Sequence, residues 1–230
     1  QMRAWEDASW AAGRDVNEVM RQAGAAVAQQ AVAMTNEGDV ILLLAGNGNN
    51  GGDTRLAAEQ IKGRKVTLAE VSGQDCLPEI QEVLGGGPAL VVDGLFGIGL
   101  NRELVGDWVE LVEAVNASGL TVLAVDAPSG LNADTGEPMG VAVRADVTIT
   151  FGGPKLGLLE NHAAEFVGRL ETAADIGLIQ CPEQTGLNWV LPEDFDNFPP
   201  ERPVNSHKGS FGHLGIIAGS MGFHGAAVLA

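Results

Sequence analysis

The chain has 230 residues, enough for one complete domain and the start of another, because a domain typically takes about 100–200 residues. Its formal net charge is −17 and its 13 Lys and Arg residues are scattered, which excludes the clustered cations that a nucleic-acid backbone requires. No apolar run is long enough to cross a bilayer, and the two cysteines form neither a metal-ligand spacing nor a disulfide framework. We therefore expect a soluble, cytoplasmic protein with no nucleic-acid or membrane partner.

Apolar periodicity predicts one helix followed by alternating strands and helices. Apolar residues recur on one helical face over 15–34, with Asp15 and Glu18 as a capping-box-like start. Short apolar runs bounded by charge or glycine predict buried strands at 39–45, 65–71, 89–95, 119–128, 145–153 and 166–177. Helical stretches are predicted at 54–61 and 107–117. This alternation predicts an α/β fold with a Rossmann-like, doubly wound, mostly parallel sheet in three αβα layers.

Composition divides the chain into three segments. Residues 1–179 contain the alternating strands and helices and are predicted to form the first domain. Residues 180–205 are rich in Pro, Asn and acidic residues without a sustained period, which is typical of a linker. At 206–230 the strand-and-glycine pattern restarts with HLGIIAGS (213–220), which predicts the beginning of a second domain.

A glycine-rich loop, AGNGNNGGD (45–53), lies between a predicted strand and a predicted helix. Gly46, Gly48 and Gly51 have the G-x-G-x-x-G spacing, which lets backbone N–H groups approach phosphate oxygens at a helix N-terminus. Glu70 ends the next predicted strand, where Rossmann proteins bind ribose hydroxyls. The alternative is a structural strand-to-helix turn without a ligand.

Two further predicted strands end in acidic residues, Asp93 and Asp126. The first leads into a glycine-rich turn that carries Arg102, and the second is followed by Ser129. Ligands of open α/β sheets bind beyond the carboxyl ends of the strands, so Asn50 and these polar groups are expected to converge on one cleft. A single strand-end Asp is more often a cap or turn former, but three such ends with polar oxygens favour a binding site.

Several motifs in order resemble the NAD(P)H-hydrate epimerase family, the YjeF N-terminal domain family, over residues 2–179. They are NNGGD (49–53), DGLFGIGLNREL (93–104), VDAPSGLNADTG (125–136) and FGGPKLGLL (151–159). Members of that family interconvert the two epimers at C6 of hydrated NAD(P)H, NAD(P)HX, for cofactor repair. The resemblance therefore implies an isomerase whose substrate is a damaged nucleotide.

The resemblance also implies site residues. It places Asp126 beside the reacting ring as the catalytic residue, and it implies one K+ ion for each epimerase site, held by Asn50, Asp93 and Ser129. Oxygen donors of this kind are those that a hard cation prefers. The implied substrate contacts are Asn49, Asn50, Gly51, Gly52, Asp53, Gly97, Ile98, Gly99, Leu100, Asn101, Arg102, Glu103 and Asp126. One departure is Thr54, where the family pattern often has Gly.

Residues 206–230 are similar to the start of an ADP-dependent NAD(P)H-hydrate dehydratase domain, which is ribokinase-like and fused to the epimerase in many bacteria. The nucleotide-binding and catalytic segments of such a domain lie further downstream, so we expect no dehydratase activity from the 230 residues alone. We expect functional coupling to a dehydratase domain and a homodimer. The spacing of His207, His213 and His224 fits no compact metal-ligand pair.

Epimerisation needs an acid/base group, a role that we assign to Asp126, while Arg102 or Lys155 could anchor the phosphates. Lys155 could equally be structural. One alternative function is a Rossmann-type NAD-dependent oxidoreductase, but the chain has no Tyr, and His162 is its only histidine before the linker. The other alternative is a non-catalytic nucleotide-binding scaffold, against which the polar cleft residues argue.

Overall fold

A computed structural model describes residues 2–72, 76–182, 186, 188–196, 198, 203–211, 215, 217–220, 225 and 228. Internal contacts divide the chain into two units, 1–189 and 190–230. The first unit contains a single sheet and its flanking helices. No helix in the described ranges is both long and apolar enough to cross a membrane.

Six parallel strands form the sheet of the first unit, in the order β2-β1-β3-β4-β5-β6. The strands are β1 (Val40–Ala45), β2 (Lys65–Glu70), β3 (Leu90–Gly94), β4 (Val122–Val125), β5 (Val147–Phe151) and β6 (Arg169–Ala173). The strand order reverses between β1 and β3, so this point is a topological switch at which ligands of open α/β sheets bind. The predicted Rossmann-like fold class is confirmed.

Helices pack on both faces of this sheet. They are α1 (Met2–Ala11), α2 (Val16–Ala33), α3 (Asn49–Gln60), α4 (Leu77–Gly85), α5 (Asp107–Ala117) and α6 (Ala164–Val167). Because successive strand residues point to opposite faces, Ile41 and Leu43 of β1 pack in one core cluster with α2 and α3. Leu42 and Leu44 pack in the other with α4 and α5. Burial on both faces explains the uninterrupted apolar run of this strand.

The helix predicted at 15–34 spans Val16–Ala33, and the Asp15 side chain caps it by accepting from the Asn17 N–H. The reciprocal half of the expected capping box is absent, because the Glu18 carboxylate accepts from Arg21 and Gln22 instead. The helix predicted at 107–117 has those bounds. The sequence patterns did not predict α1 and α4.

The largest difference from the predicted elements is the start of α3. This helix begins at Asn49, five residues before the predicted 54, so Gly51 and Gly52 lie in its first turn. Gly48 is the N-cap residue. The paired glycines favour a loop by intrinsic propensity, and tertiary packing overrides that preference.

Within the second unit, the described residues form two short 3-10 helices, Pro192–Phe195 and Lys208–Phe211. The rings of Phe195 and Phe198 make an edge contact with centroids 6.4 Å apart. Of the segment predicted as a strand at 213–220, the structure describes residues 215 and 217–220, and these lie in no strand element, whereas His213 and His224 lie outside the described residues. The domain boundaries at 179 and 206 therefore stay a prediction.

Candidate active site

A cavity of about 570 Å³ lies at the carboxyl ends of the strands, within the size range of small-molecule sites. Segment 47–50 after β1, segment 95–102 after β3 and Asp126 after β4 line it. Helix α1 adds Arg3 and Glu6 to the wall. The cavity therefore collects residues from parts of the chain that are distant in sequence, as expected at a topological switch point.

Close backbone crossings bring the first two segments together. The Gly46 N–H donates to the Gly94 carbonyl at 3.1 Å. A Cβ on Gly46 would overlap the Leu95 carbonyl, and a Cβ on Gly51 would overlap the Gly46 carbonyl. Two of the three glycines of the G-x-G-x-x-G spacing thus allow one backbone to approach another inside the protein. These two glycines thus serve contacts within the polypeptide, and the predicted approach to phosphate oxygens stays a prediction.

Asp93 and Ser129 form one hydrogen-bonded group behind this wall. The Ser129 N–H donates to Asp93 Oδ2 at 2.8 Å and its hydroxyl donates to Oδ1 at 2.6 Å, while the Phe96 N–H donates to the Ser129 hydroxyl at 2.9 Å. Complete burial raises the pKa of Asp93 to about 6, against the lowering effect of the hydrogen bonds from Ser129 and Leu95. The Asp93 carboxylate is therefore fixed in one orientation.

Asn50 reaches the same loop from α3. Its Cγ lies 3.3 Å from the place that a Cβ atom would take if Gly97, the residue after Phe96, carried a side chain. Both polar atoms of its amide are buried and have no hydrogen-bond partner among the described residues. Buried polar atoms are rarely left unpaired, so this amide is a candidate ligand group. The structure thus brings Asn50 and the Asp93–Ser129 pair to the single segment 93–97.

Asp126 follows β4 in the left-handed backbone region, with φ = +64°. The turn after β5 holds its carboxylate: the Lys155 ammonium donates to Oδ1, and the Phe151 N–H donates to the same oxygen at 3.2 Å. Lys155 also donates to the Thr150 hydroxyl at 2.9 Å and to the Phe151 carbonyl at 3.1 Å. Asp126 and Lys155 are each 9% exposed, so this is a buried ion pair at the cavity. Lys155 is therefore engaged with a carboxylate rather than free for a phosphate.

Two more carboxylates line the cavity beside this pair. Burial raises the pKa of Asp53 to about 8, and the neighbouring charges of Asp126 and Glu6 raise it further while Lys155 lowers it. The pKa of Glu6 is also raised, first by burial and then by Asp126. Neither side chain accepts a hydrogen bond within the described part of the chain. Sequence patterns missed Glu6, because α1 carries neither a cap signal nor a motif.

Most residues that the family resemblance implies as substrate contacts border the cavity. Those that line it are Asn49, Asn50, Asp53, Gly97, Ile98, Gly99, Leu100, Asn101, Arg102 and Asp126. Gly51, Gly52 and Glu103 are not in the lining. Glu70 is not in it either: Arg55 donates to both Glu70 oxygens, at 2.9 and 3.0 Å, and holds the pKa of Glu70 below its usual range. Glu70 is thus paired with Arg55 outside the cavity lining, and its ribose contact stays a prediction.

The fold and the cavity define an α/β protein with a Rossmann-like parallel sheet and a polar ligand site at the topological switch point. Comparison with known proteins narrows this class. The family described as YjeF-related protein N-terminus matches residues 16–82 and 65–157. The chain belongs to this family, which confirms the resemblance that the motifs indicate.

The relatives that are similar to this chain have two different lengths. An NAD(P)H-hydrate epimerase of Achromobacter xylosoxidans is 39% identical, over 79% of this chain and 95% of its own length. A bifunctional NAD(P)H-hydrate repair enzyme of Thermofilum pendens is 38% identical, over 92% of this chain and 45% of its own length. The chain thus spans about half the length of that bifunctional relative. The yeast protein ynu0 (YNL200c) shares the fold, with a TM-score of 0.56 at 19% identity over 70% of this chain and 79% of its own.

Proposed function

We propose that this chain is an NAD(P)H-hydrate epimerase, an isomerase that interconverts the R and S forms of NAD(P)HX at C6 of the nicotinamide ring. The observation that carries the proposal is the buried Asp126–Lys155 pair, which faces a nucleotide-sized cavity in a member of this family. A relative that carries the epimerase name aligns over nearly its whole length with this chain. These findings support the same activity here.

The chemistry requires proton transfer at one oxygen atom. Hydration leaves a hydroxyl on C6 next to the ring nitrogen, so inversion needs that hydroxyl to leave and water to return on the other face. Opening and reclosure of the ring gives the same product. Either route needs a positioned acid/base group, which typically contributes about 10²- to 10⁴-fold in rate. We assign this acid/base role to Asp126. The Lys155 ammonium and the Phe151 N–H hold its carboxylate in one orientation.

The charged residues on the cavity wall support one orientation of a bound nucleotide. Arg3 and Arg102 line the cavity, whereas the described contacts of Lys155 are with Asp126, Thr150 and Phe151. We assign the phosphates to the two arginines, because a guanidinium donates two parallel hydrogen bonds to phosphate oxygens. The ring of the substrate then lies towards Asp126.

The oxygen donors of Asn50, Asp93 and Ser129 fit a potassium ion. The Asn50 amide oxygen lacks a donor among the described residues, and Asp93 Oδ2 accepts one hydrogen bond from them although a carboxylate oxygen has room for more. The set contains no Cys or His, which suits a hard cation. When bound there, K+ would supply positive charge next to segment 95–97 of the cavity wall.

The longer relatives support a further proposal, that this chain functions together with an ADP-dependent dehydratase domain. The bifunctional enzymes of Thermofilum pendens and Coxiella burnetii align with 92% and 100% of this chain. Residues 206–230 are assigned to the start of that domain. A homodimer and a cytoplasmic location stay predictions.

A coupled assay tests the epimerase proposal. A mixture of R- and S-NADHX is first exhausted with a dehydratase specific for one epimer, and the chain is then added. We expect the remaining epimer to be converted to NADH at a rate that depends on the concentration of the chain. Asp126→Asn and a sample without the chain serve as controls. If the remaining epimer persists equally with and without the chain, the proposed function is wrong.

A further inference from the structure

Asp53 is an unusual side chain in this cavity. It is only 8% exposed, it lines the cavity from α3, and no donor reaches its carboxylate within the described residues. A buried carboxylate without a partner is costly, so such a group is retained mainly where a ligand completes its pairing or where it stays protonated. Asp53 thus differs from Asp126, which is held by a cation and a backbone N–H.

Two carboxylates in one cavity with opposite surroundings are the arrangement that separates an acid from a base. Asp126 forms a buried ion pair with Lys155. Burial and the nearby charges of Asp126 and Glu6 favour the protonated form of Asp53, because they raise its pKa to about 8. The two residues also come from different elements of the wall, α3 and the end of β4.

We propose that Asp53 is a second catalytic residue, which exchanges a proton with the C6 oxygen on one face of the ring while Asp126 does so on the other. This inference rests on the proposed epimerase function. Inversion at C6 needs one proton-transfer group for each face, since the departing and the incoming oxygen lie on opposite sides. A single carboxylate cannot serve both without moving across the ring.

The protonated Asp53 gives its proton to the C6 hydroxyl, the C6–O bond breaks, and water leaves with the bonding electron pair. The ring nitrogen lone pair forms the C6=N1 bond of a planar cation. A water molecule then adds to the other face, the π pair returns to nitrogen, and the proton that this water loses passes to Asp126. The opposite epimer is converted by the reverse sequence, so one proton is shared between Asp53 and Asp126.

The test compares wild type with Asp53→Asn and with Glu59→Gln, which removes a carboxylate from the exposed side of the same helix. Epimerisation is followed from about pH 6 to about pH 10 with the spontaneous background subtracted. We expect Asp53→Asn to fold and to lose about 10²-fold or more in kcat. The wild-type rate falls above about pH 8, where Asp53 ionises, and this fall is absent from the residual rate of Asp53→Asn. Glu59→Gln keeps the wild-type rate and profile.

Isotope incorporation adds a readout that a structural role of Asp53 would not give. In water enriched in oxygen-18, each inversion by the proposed route places one solvent oxygen on C6. Product formed initially without that label supports ring opening and overturns the step. The role of Asp53 is also overturned if Asp53→Asn keeps the wild-type kcat and the fall in rate at high pH.

The proposed function and this inference fail in different ways. A wild-type chain that converts no NADHX refutes both. A wild-type chain that is active and depends on Asp126, with an equally active Asp53→Asn variant, refutes only the role of Asp53.

Discussion

The carboxyl group of Asp53 should make the stability of the first unit depend on pH. Its pKa in the folded chain is about 8, against an ordinary value of 3.8, because burial and the charges of Asp126 and Glu6 disfavour the ionised form. Between these two values the folded state binds more protons than the unfolded state. The contribution of Asp53 to the free energy of unfolding therefore decreases as the pH rises from about 4 to about 8. Above about pH 8 this contribution is fully lost.

The size of this effect can be worked from the same values. The interval from 3.8 to about 8, at about 1.36 kcal/mol for each pH unit, gives an upper limit of roughly 6 kcal/mol. Asp53 borders an open cavity, where a high effective dielectric reduces the cost of charge, so we expect about 2 kcal/mol for Asp53→Asn at high pH. For a protein of this size that gain corresponds to a rise in Tm of roughly 4–8 °C.

Thermal unfolding of wild type and Asp53→Asn at about pH 5 and about pH 9 measures this difference. The variant should gain stability over wild type mainly at the higher pH. The raised pKa of Asp93 affects both proteins alike and cancels in the comparison. Glu59→Gln controls for the loss of one negative charge from a strongly acidic chain. The reasoning is refuted if Asp53→Asn is less stable than wild type at the higher pH, or if its advantage is the same at both values.

Five other substitutions, one of them a control, test separate parts of the site. Asp126→Asn should fold, since Asn tolerates the left-handed backbone at this position, and should lose most epimerase activity; normal turnover would exclude Asp126 as the acid/base. Asp93→Asn should abolish any rise in Tm produced by potassium over a large organic cation, and a rise equal to that of wild type would argue against the ion site. Glu6→Gln should move the fall in rate to lower pH, because the Glu6 charge raises the pKa of Asp53; an unmoved profile would contradict this coupling. Gly51→Ala places a methyl group onto a backbone oxygen and should lower the free energy of unfolding by about 1–3 kcal/mol or more. The methyl group of Gly48→Ala meets open space, so this variant should unfold near the wild-type temperature. Equal effects of the two substitutions would contradict the packing argument.

The sheet could be predicted because its signals are local. Each strand is a short apolar run buried on both faces, and β1 (Val40–Ala45) is the clearest example. The start of α3 could not be predicted in the same way. Its position at Asn49 depends on the crossing of Gly46 and Gly51, which joins chain segments through space, while the local preference of paired glycines favours a loop.

The strand-end residues of the site were accessible to sequence reasoning, because the carboxyl ends of parallel strands meet at one edge of the sheet. That rule placed Asp93 and Asp126 near each other without knowledge of side-chain contacts. That rule could not predict that Glu6 lines the cavity. Helix α1 reaches the cavity through contacts that span the chain, such as the hydrogen bond of 2.7 Å from Trp5 Nε1 to the Ile179 carbonyl. The partner of Lys155 likewise depends on the turn after β5, which fixes its ammonium at Asp126.

The contacts separate the polar groups of the site into two kinds. The end of each strand in the centre of the sheet supplies a carboxylate that its neighbour holds: Ser129 binds Asp93, and the turn after β5 binds Asp126. Helix α3 supplies Asn50 and Asp53, which lie three residues apart on one helical face and whose side chains have no hydrogen-bond partner among the described residues. Folding orients the first kind and leaves the second kind unpaired at a free-energy cost. Binding of a cation at Asn50 and of substrate at Asp53 would offset that cost, so α3 is the element whose stability should respond most to ligands.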